Sequence, residues 1–480
     1  MKGRIRCAAA TAVLAVLVAG CVNQDHEVAQ YRQVLDEQRP KPARLEAGET
    51  LTLDRALALA NADNEQLASQ GETYLQALIA KDRAFSAFLP TLNFTPNLTV
   101  EQAPRGTVPA TAPGAPPTSA AVAAATSGNF KQSGNVLYRI QAPVVGNMTF
   151  AYRDLPLFEA AKMIVAQRRE LLLDAQQTLM LDVAQTYFQA VTLTEQTKVL
   201  ANSLELQRAR VRDLQARVTM RLSLPLDLAQ QEANEAATEV SLRQAENALR
   251  DARRMLAFLI GAPAVDGALV EQVANPEGLA AADDCVRRAL AERPDYQAAL
   301  AGVQAARAGV RAAVAEYYPS VSLSAAGFLY EEHYADASKW NGILSASLPI
   351  FSAGQIHEDV RNAWSQLRSA GLMESYLRRN VSQQVLDAYD DLQTSGVVLG
   401  DLRREVDAAT KAYAQAAQLE KNGLAIPLDV LTAEDTLLNA ELQYASQAFN
   451  RTVAYLNLLR VQGELKPDAA SRLRWVPIPL

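Results

Sequence analysis

Two aspartates that follow prolines are the most regular polar feature of this sequence. Asp227 lies in "LPLDLAQQE" and Asp429 lies in "IPLDVLTAE", and the two segments are 202 positions apart. Each segment interrupts a region whose composition otherwise favours helix. A carboxylate just after a proline can lie near the start of a helix, where it stabilises the positive end of the helix dipole. The chemistry that the residues alone predict for both aspartates is therefore electrostatic and not catalytic.

Side chains that could act as nucleophiles or metal ligands are few and scattered. The segment "EEH" at 331–333 falls in a predicted loop, where we expect solvation and not metal binding. The sequence has no glycine-rich phosphate-binding loop, so we predict no ATP site with which the chain could energise transport. We predict that the protein is not an enzyme and holds no metal or cofactor. The histidines and cysteines show no catalytic or metal-binding spacing: His26, His333, His357, Cys7, Cys21 and Cys285.

Length, charge and hydropathy argue against a single-core protein, a nucleic-acid-binding protein and a helical membrane protein. A chain of 480 residues is too long for one ordinary hydrophobic core, so two or more units are expected. The net charge of −7 provides no basic surface for nucleic acid. Beyond the N-terminus no segment approaches the apolar length of a transmembrane helix. If the chain crosses a membrane, it must therefore do so as β-strands.

The N-terminal residues have the pattern of a bacterial lipoprotein leader. The basic segment "MKGRIR" precedes the apolar run "CAAATAVLAVLVA", which is too short to span a membrane. The run ends in "VAGC", which resembles the lipobox in which the cysteine is acylated. We expect Cys21 to carry lipid, and an ordinary cleavage site with a chance cysteine is the alternative. Val22 replaces the aspartate that retains some lipoproteins at the inner membrane, which predicts the outer membrane.

The sequence is duplicated beyond the two prolines. The same offset of 202 positions aligns Tyr187 with Tyr389 and Gly261 with Gly463 without a gap. A segment rich in Pro, Ala, Thr and Ser lengthens the first copy, and the order of this 103–134 region is not predictable. We predict a signal peptide at 1–20, a lipid-anchored linker at 21–50, one repeat at 51–265, a second repeat at 266–465 and a tail at 466–480.

Each repeat is predicted to contain a long helical hairpin. Residues 157–222 contain neither glycine nor proline, and apolar residues such as Val211 and Leu214 recur every three to four positions. This apolar seam is narrow, which favours helices packed side by side. Because proline cannot continue the helical hydrogen bonds, we expect the chain to reverse at Pro225 and Pro427. A single kinked helix is the alternative.

Segments with period-two alternation predict β-strands. Leu92 and Phe94 alternate with Asn93 and Thr95, which is typical of a transmembrane barrel strand with one face toward lipid. A soluble two-sided sheet is the alternative. Since single-chain barrels begin at about eight strands, four strands that cross a membrane require an oligomer that shares one barrel. The four predicted strands lie at 91–101, 136–142, 320–330 and 343–350.

The combined landmarks resemble the TolC-type outer-membrane efflux and secretion channels. They are the duplicated order, "ERPDYQAA", "AEYYPSVSLSAAGF", "SASLPIFSAGQI" and "NGLAIPLDVLTAE", and the resemblance covers residues 50–465. It implies a membrane protein of mixed α/β structure, in which a homotrimer forms a 12-stranded β-barrel that continues as a long periplasmic α-barrel. It also implies a passive outer-membrane exit duct in a tripartite efflux or type I secretion system. A periplasmic adaptor and an inner-membrane transporter would be its partners.

The same resemblance assigns roles to the hairpin tips. Family channels narrow at acidic residues near the second tip, which implies a periplasmic gate at Asp429, with Asp227 as the weaker counterpart. Some family members carry a further aspartate where this chain has Thr432, which weakens the expectation of a double acidic ring. Lys421 and Arg221 are candidate partners of the gate carboxylates. The residues expected to contact the adaptor are Arg221, Leu222, Ser223, Asn422, Gly423 and Leu424.

The competing interpretation belongs to another functional class. Long helices, a lipid anchor and a small soluble sheet would also fit a structural protein that tethers layers of the cell envelope. The alternating strands favour the channel, because a tether has no need of a sheet with one lipid-facing side. The cargo and the identity of the partner pump cannot be predicted from the sequence.

The lipid anchor can be tested directly in cells. Replacing Cys21 with serine should abolish incorporation of a radioactive fatty acid, because serine has no thiol to acylate. Cys285→Ser is the matched control and should leave the labelling unchanged. Equal labelling of Cys21→Ser and the unaltered protein would show that Cys21 is not the lipidated residue.

Overall fold

A computed structural model of the protein describes most of the chain. The described residues are 23–35, 45–46, 48–102, 131–133, 136–270, 273–274, 279–331, 340–422, 424–465 and 475–476. The predicted signal peptide, Cys21, His333, Gly423 and most of the predicted 103–134 loop and 466–480 tail lie outside these ranges. None of the helices within them has a stretch of the hydropathy that crossing a bilayer would need.

The chain divides into two compact units, each built from both halves of the sequence. The helical unit comprises Met1–Gln76, Ala166–Ala301 and Leu372–Leu480, and the strand unit comprises Ala77–Val165 and Gly302–Gly371. This division differs in kind from the predicted repeats at 51–265 and 266–465. The repeat boundaries remain a prediction, although the order of long helix, proline and second helix occurs twice.

Four long helices follow the expected pattern. In the first half α4 (Asp154–Thr219) has 66 residues and α5 (Pro225–Leu259) has 35; in the second half α8 (Gln355–Lys421) has 67 and α9 (Pro427–Val461) has 35. Proline is the first residue of α5 and of α9, a position where a helix makes no use of the missing N–H.

Contacts between the paired helices show that the chain reverses at each proline. Arg208 of α4 lies 3.5 Å from Glu235 of α5, on opposite sides of the first turn and at similar distances from it along the chain. Across the second turn, the Gln447 amide donates to the carbonyl oxygen of Ser395 at 3.4 Å. The predicted helical hairpins are therefore confirmed, and a single kinked helix is excluded.

Shorter helices precede the strands in both halves. They are α1 (Gln24–Leu35), α2 (Leu53–Asp63) and α3 (Glu65–Ser86) in the first half, with α6 (Ala282–Glu292) and α7 (Pro294–Ala315) in the second. The helix α1 lies in the predicted linker and buries Tyr31 and Leu35. A two-stranded sheet pairs β5 (Val273–Ala274) with β8 (Trp475–Val476), so part of the predicted tail is ordered in a strand.

The main sheet lies in the strand unit and is antiparallel. Its strands are β1 (Thr91–Phe94), β2 (Asn97–Gln102), β3 (Lys131–Ser133), β4 (Val136–Ala151), β6 (Ser320–Glu331) and β7 (Trp340–Ser347). The order is β1–β4–β6–β7, and β2 and β3 also pair with β4.

Three predicted strand boundaries differ from the structure. The strand predicted at 136–142 continues to Ala151, because β6 pairs with β4 along most of its length. The strand predicted at 343–350 begins at Trp340 and ends at Ser347. The strand predicted at 91–101 is divided between β1 and β2 around Pro96, whose lack of an N–H interrupts a ladder.

The register gives the sheet two chemically different faces. Directly paired residues share a face, and the pairs Leu92–Gly146, Phe150–Val321, Met148–Leu323 and Leu323–Leu344 make one face apolar. The pairs Asn147–Ser324, Thr149–Ser322, Ser322–Ser345 and Ser320–Ser347 make the other face polar. The large apolar side chains remain exposed in the single chain, with Leu92 at 75% and Leu344 at 73%.

Two hydrophobic clusters stabilise the helical unit. The larger one surrounds Tyr187, whose side chain packs edge-on against Phe188 and whose hydroxyl group donates to the carbonyl of Leu51 at 3.0 Å. Phe449 of α9 joins the same cluster, so α9 packs with elements of the first half. The counterpart of Tyr187 in the duplication, Tyr389, packs at the margin of the second cluster.

The glycines aligned by the duplication end the two hairpins. Gly261 and Gly463 have φ angles of 66° and 78°, in the left-handed region that glycine adopts without strain. The N–H of Gly463 donates to Arg460 O at 2.9 Å, and the next N–H donates to Leu459 O at 2.8 Å. A Cβ on Gly463 would lie 2.8 Å from the backbone of Arg293, so this position requires glycine for two reasons.

Replacing Gly463 with alanine should therefore destabilise the helical unit. Left-handed strain and the backbone clash together predict a loss of about 3 kcal/mol in the free energy of unfolding. Gly371→Ala is the matched control, because Gly371 lies within α8 and its added Cβ would meet no atom within 4 Å. This control should be as stable as the unaltered protein or more stable by about 0.5–1 kcal/mol. Chemical unfolding followed by circular dichroism tests both, and equal effects would show that Gly463 has no special role.

Candidate functional site

The first hairpin tip ends α4 with a hydrogen-bonded cap. Leu222 N–H donates to Arg217 O at 2.8 Å, and Arg221 N–H donates to Val218 O at 3.0 Å. This is the Schellman arrangement, which satisfies the last carbonyl groups of a helix. Arg221 occupies its left-handed position with a φ angle of 61°, although most proteins place glycine there. The exposed Arg221 side chain is therefore held on a sharply turned backbone.

The second tip repeats the hydrogen bond of the first tip that spans more residues. Leu424 N–H donates to Leu419 O at 2.9 Å, and these two residues correspond to Leu222 and Arg217 in the duplication. Asn422 is exposed and hydrogen bonds back to the end of α8. By the same offset the sequence places Gly423, which lies outside the described residues, opposite Arg221.

Each predicted gate aspartate caps the helix that leaves the tip. The Asp227 carboxylate accepts a hydrogen bond from Leu224 N–H, and the Asp429 carboxylate accepts one from Ile426 N–H, both at 3.3 Å. Because Leu224 and Ile426 have apolar side chains, neither can return the second bond of a full capping box. The expectation of a helix-start carboxylate is confirmed at both positions.

The two aspartates differ in their surroundings. Asp429 is exposed although it is followed by the fully buried Val430, whereas Asp227 is half-buried. Thr432 is also exposed, and its hydroxyl group donates to the Leu428 carbonyl at 2.9 Å. The exposed carboxylate next to the second tip is thus free to face other molecules, while Thr432 is bonded to its own helix.

Apolar side chains surround both tips and are exposed. On the first tip Leu222 is 72% exposed, and on the second tip Leu424 is 75% exposed. Ser223 is half-buried between exposed neighbours. These exposed leucines offer apolar contact surface at the end of each hairpin. The described residues of the set predicted to contact an adaptor therefore lie at the exposed ends of the hairpins, and their role stays a prediction.

A buried ion pair near the second tip was not predicted from the sequence. Arg210 Nη1 lies 2.7 Å from Glu434 Oε2 and joins α4 to α9. Their side chains are only 17% and 8% exposed. Glu434 is the last residue of "IPLDVLTAE", and its counterpart Glu232 is exposed. The repeated glutamate was visible in the sequence, but nothing indicated which copy pairs with an arginine 224 residues away.

The surroundings of Glu434 change its acidity. Burial raises the pKa of the Glu434 carboxyl group, the Arg210 charge opposes this rise, and Asp435 adds to it. Burial and the nearby Glu434 charge also raise the pKa of the Tyr413 hydroxyl group. The pair is therefore held together against a cost of desolvation.

Among the residues that the structure describes, no group of three or more His, Cys, Asp or Glu is arranged to hold a metal ion. The described residues at the tips cap helices and expose apolar side chains. None of these described tip residues pairs a nucleophile with a general base.

Sequence comparison identifies one family. Residues 285–464 match the family described as Outer membrane efflux protein. The chain is 26% identical over 249 residues to Nodulation protein T of Rhizobium leguminosarum bv. trifolii, covering 48% of this chain and 52% of that protein. It is 23% identical over 313 residues to Outer membrane efflux protein BepC of Brucella suis biovar 1, covering 64% and 68%. The chain thus spans about half the length of the nodulation protein.

Solved structures show the same fold. The CmeC outer membrane channel of Campylobacter jejuni matches with a TM-score of 0.73 at 17% identity, covering 91% of this chain and 92% of that one. The outer membrane protein VceC of Vibrio cholerae matches with a TM-score of 0.72 at 18% identity, covering 86% and 96%. At such identities the likeness establishes the fold alone, which is that of TolC-like outer-membrane channels. The family of efflux channels also agrees with the prediction that the chain is not an enzyme.

The buried pair generates a prediction about stability. Arg210→Met and Glu434→Leu should each cost about 3 kcal/mol of unfolding free energy, because each leaves one buried charge without its partner. The double replacement should cost less than either single one, since it removes both charges together. Unfolding by guanidinium chloride, followed by circular dichroism, measures the three values.

The exposed pair Arg243–Glu239 on α5 is the matched control. Glu239→Leu should leave the unfolding midpoint unchanged, because solvent screens this pair. If the single replacements at Arg210 and Glu434 were equally silent, the buried pair would have no part in holding α9 against α4.

Proposed function

We propose that this chain, whose residues 285–464 match the outer membrane efflux protein family, is the outer-membrane channel subunit of a tripartite efflux or type I secretion system. In this role it is a passive exit duct from the periplasm to the exterior. The duct removes the barrier that a bilayer presents to polar cargo, and a partner transporter supplies the energy.

One observation carries this proposal, and it is the two-faced sheet of the strand unit. Leu92, Phe150 and Leu344 lie on an apolar face, while Ser322 and Ser345 lie on a polar one. An apolar face that is exposed in the single chain can be covered by lipid, and the polar face can line water. A soluble tether would leave the apolar face in contact with water, which disfavours that alternative.

The strands supply four positions in a shared barrel. β1 and β2 pair with successive parts of β4 and together count as one strand of the barrel. β4, β6 and β7 are the other three strands. Four positions are too few to close, so we propose a homotrimer with 12 strands, the number implied by the family resemblance. The long helices of the three copies would continue as an α-barrel in the periplasm.

The hairpin tips would form the periplasmic entrance. The exposed leucines at Leu222 and Leu424 offer apolar contact to a periplasmic adaptor protein. Asp429 would bring one carboxylate from each copy into the narrowest passage, with Lys421 or Arg221 of a neighbouring copy as counter-charge. Asp227, being half-buried, would contribute less to the passage. Lipid on Cys21 would add a second attachment to the outer membrane.

Single-channel recording in planar bilayers tests the proposal. The purified protein should form discrete, cation-preferring channels, whereas a structural tether should give no conductance. Asp429→Asn should weaken cation preference and block by divalent ions, because it removes the charge and keeps an oxygen that can cap α9.

Asp227→Asn is the matched control, since Asp227 has the same capping bond at the same distance. It should change selectivity less than Asp429→Asn. If both variants conduct like the unaltered protein, Asp429 is only a helix-capping residue and the gate lies elsewhere. A complete absence of channels would contradict the channel itself.

A further inference from the structure

The helices of the strand unit follow the order of its strands. Phe85 of α3 packs on Phe158 of α4, with the ring centroids 5.7 Å apart. Arg311 of α7 lies 2.6 Å from Glu159 of α4, and α7 shares a small apolar cluster with Ala363 of α8. The helix order α3–α4–α7–α8 therefore matches the strand order β1–β4–β6–β7. One open edge of the unit is formed by α3 and β1, and the other by α8 and β7.

Large apolar side chains are exposed at both open edges. Ile350 and Phe351 follow β7 and are 94% and 89% exposed, more than any other large apolar side chain that the structure describes. At the opposite edge Phe85 near the end of α3 and Leu89 before β1 are each about half exposed. Two different surfaces at opposite edges suit a head-to-tail contact between identical chains, which closes into a ring when the rotation allows it.

The chain itself contains one junction of this kind. Where β4 passes into α4, Tyr152 packs on Tyr318 of the segment before β6, with the ring centroids 5.1 Å apart. Beside them Arg153 lies 3.5 Å from Glu316. The segments that precede β1 and β6 are alike, "SAFLP" and "AEYYP", and this likeness places Leu89 where the internal junction has Tyr318. Leu89 is thus the edge residue to which the side chains of another junction would correspond.

Lipid is a poor cover for the side chains that follow β7. The register pairs Ala151 with Ser320 and Ser320 with Ser347, so β4 and β7 leave the sheet at the same level. Just beyond this level the internal junction holds the ion pair of Arg153 and Glu316. Charged side chains are costly within the hydrocarbon of a bilayer. At a level that suits charge, apolar side chains would face water unless protein covers them.

We propose that Ile350 and Phe351 of one copy pack against Phe85 and Leu89 of the next copy. This contact rests on the proposed shared barrel, in which the β7 edge of one copy meets the β1 edge of another. β7 runs toward the helices and β1 runs away from them, so their antiparallel pairing brings both apolar surfaces to the same end of the sheet. The contact joins neighbouring copies where the strands pass into the helices.

Photo-crosslinking of the full-length protein in cells tests the contact. Phe351 is replaced with p-benzoylphenylalanine, a photoreactive residue that such an exposed position tolerates. Irradiation should yield a covalent dimer, in which mass spectrometry maps the adduct to the segment that contains Phe85 and Leu89. The photoreactive residue at Leu89 should give the reciprocal adduct to the segment that follows β7. Leu323 on β6 is the matched control and should give no covalent dimer, because both strands beside β6 belong to its own chain.

The oligomeric state of the same variants separates this contact from the proposed channel. Light scattering in detergent measures their mass. A trimer in which Phe351 reacts only with lipid, with another protein or with another segment of the neighbouring copy would overturn the contact and leave the shared barrel standing. Covalent dimers that form equally from Leu323 would also overturn it, since they would reflect random collision. A monomer without crosslinks would contradict the contact and the barrel together.

Discussion

Backbone hydrogen bonding at the edges of the main sheet is the constraint on which the proposed structure depends. Among the described strands, β7 pairs only with β6, and β1 and β2 pair only with β4. A lipid bilayer offers no donor or acceptor to an open edge, so strands in lipid must close into a barrel. If the apolar face meets lipid, the two edges of one chain must pair with other copies. Closure then requires a symmetric oligomer, which would bring equivalent helices and tips of the copies together around one passage.

The helical hairpins and the strands could be predicted from local sequence patterns. Proline begins α5 and α9, and glycine follows the last residues of both helices. These residues marked both hairpins, because proline suits the first position of a helix and glycine adopts the left-handed conformation after its end. Period-two alternation identified the strands near 91–101 and 320–330, since the side chains of a strand alternate between faces, and strands also occur at the other two predicted positions. The strand ends were less predictable, because the length of β4 is determined by its pairing with β6 and not by its own residues.

The candidate site was predictable only in part. The sequence correctly placed Asp227 and Asp429 at helix starts, where the chain itself supplies the N–H that each carboxylate accepts. It did not indicate the pair between Arg210 and Glu434, because two residues far apart in sequence meet only when α9 packs against α4. The proposed gate and adaptor surface could not be derived from the residues either, since both would be properties of an assembly.

The two halves aligned by the 202-residue offset differ in structure at several corresponding positions. Glu434 is buried and paired while Glu232 is exposed, and Arg221 holds a strained turn where the second copy has glycine. Tyr187 lies at the centre of one core cluster and Tyr389 at the margin of the other. Of the two glutamates, only Glu434 forms a buried ion pair. This pair joins α9, the second helix of the second hairpin, to α4 in the first half of the chain.

The oligomeric state in detergent tests the edge constraint most directly. Light scattering with correction for bound detergent measures the protein mass of the solubilised particle. A shared 12-stranded barrel predicts three times the mass of one chain, stable on dilution and at high salt, because backbone hydrogen bonds within the micelle hold the copies together. A monomeric particle that retains its β-structure would contradict the shared barrel, since the sheet edges would then be tolerated without a partner strand.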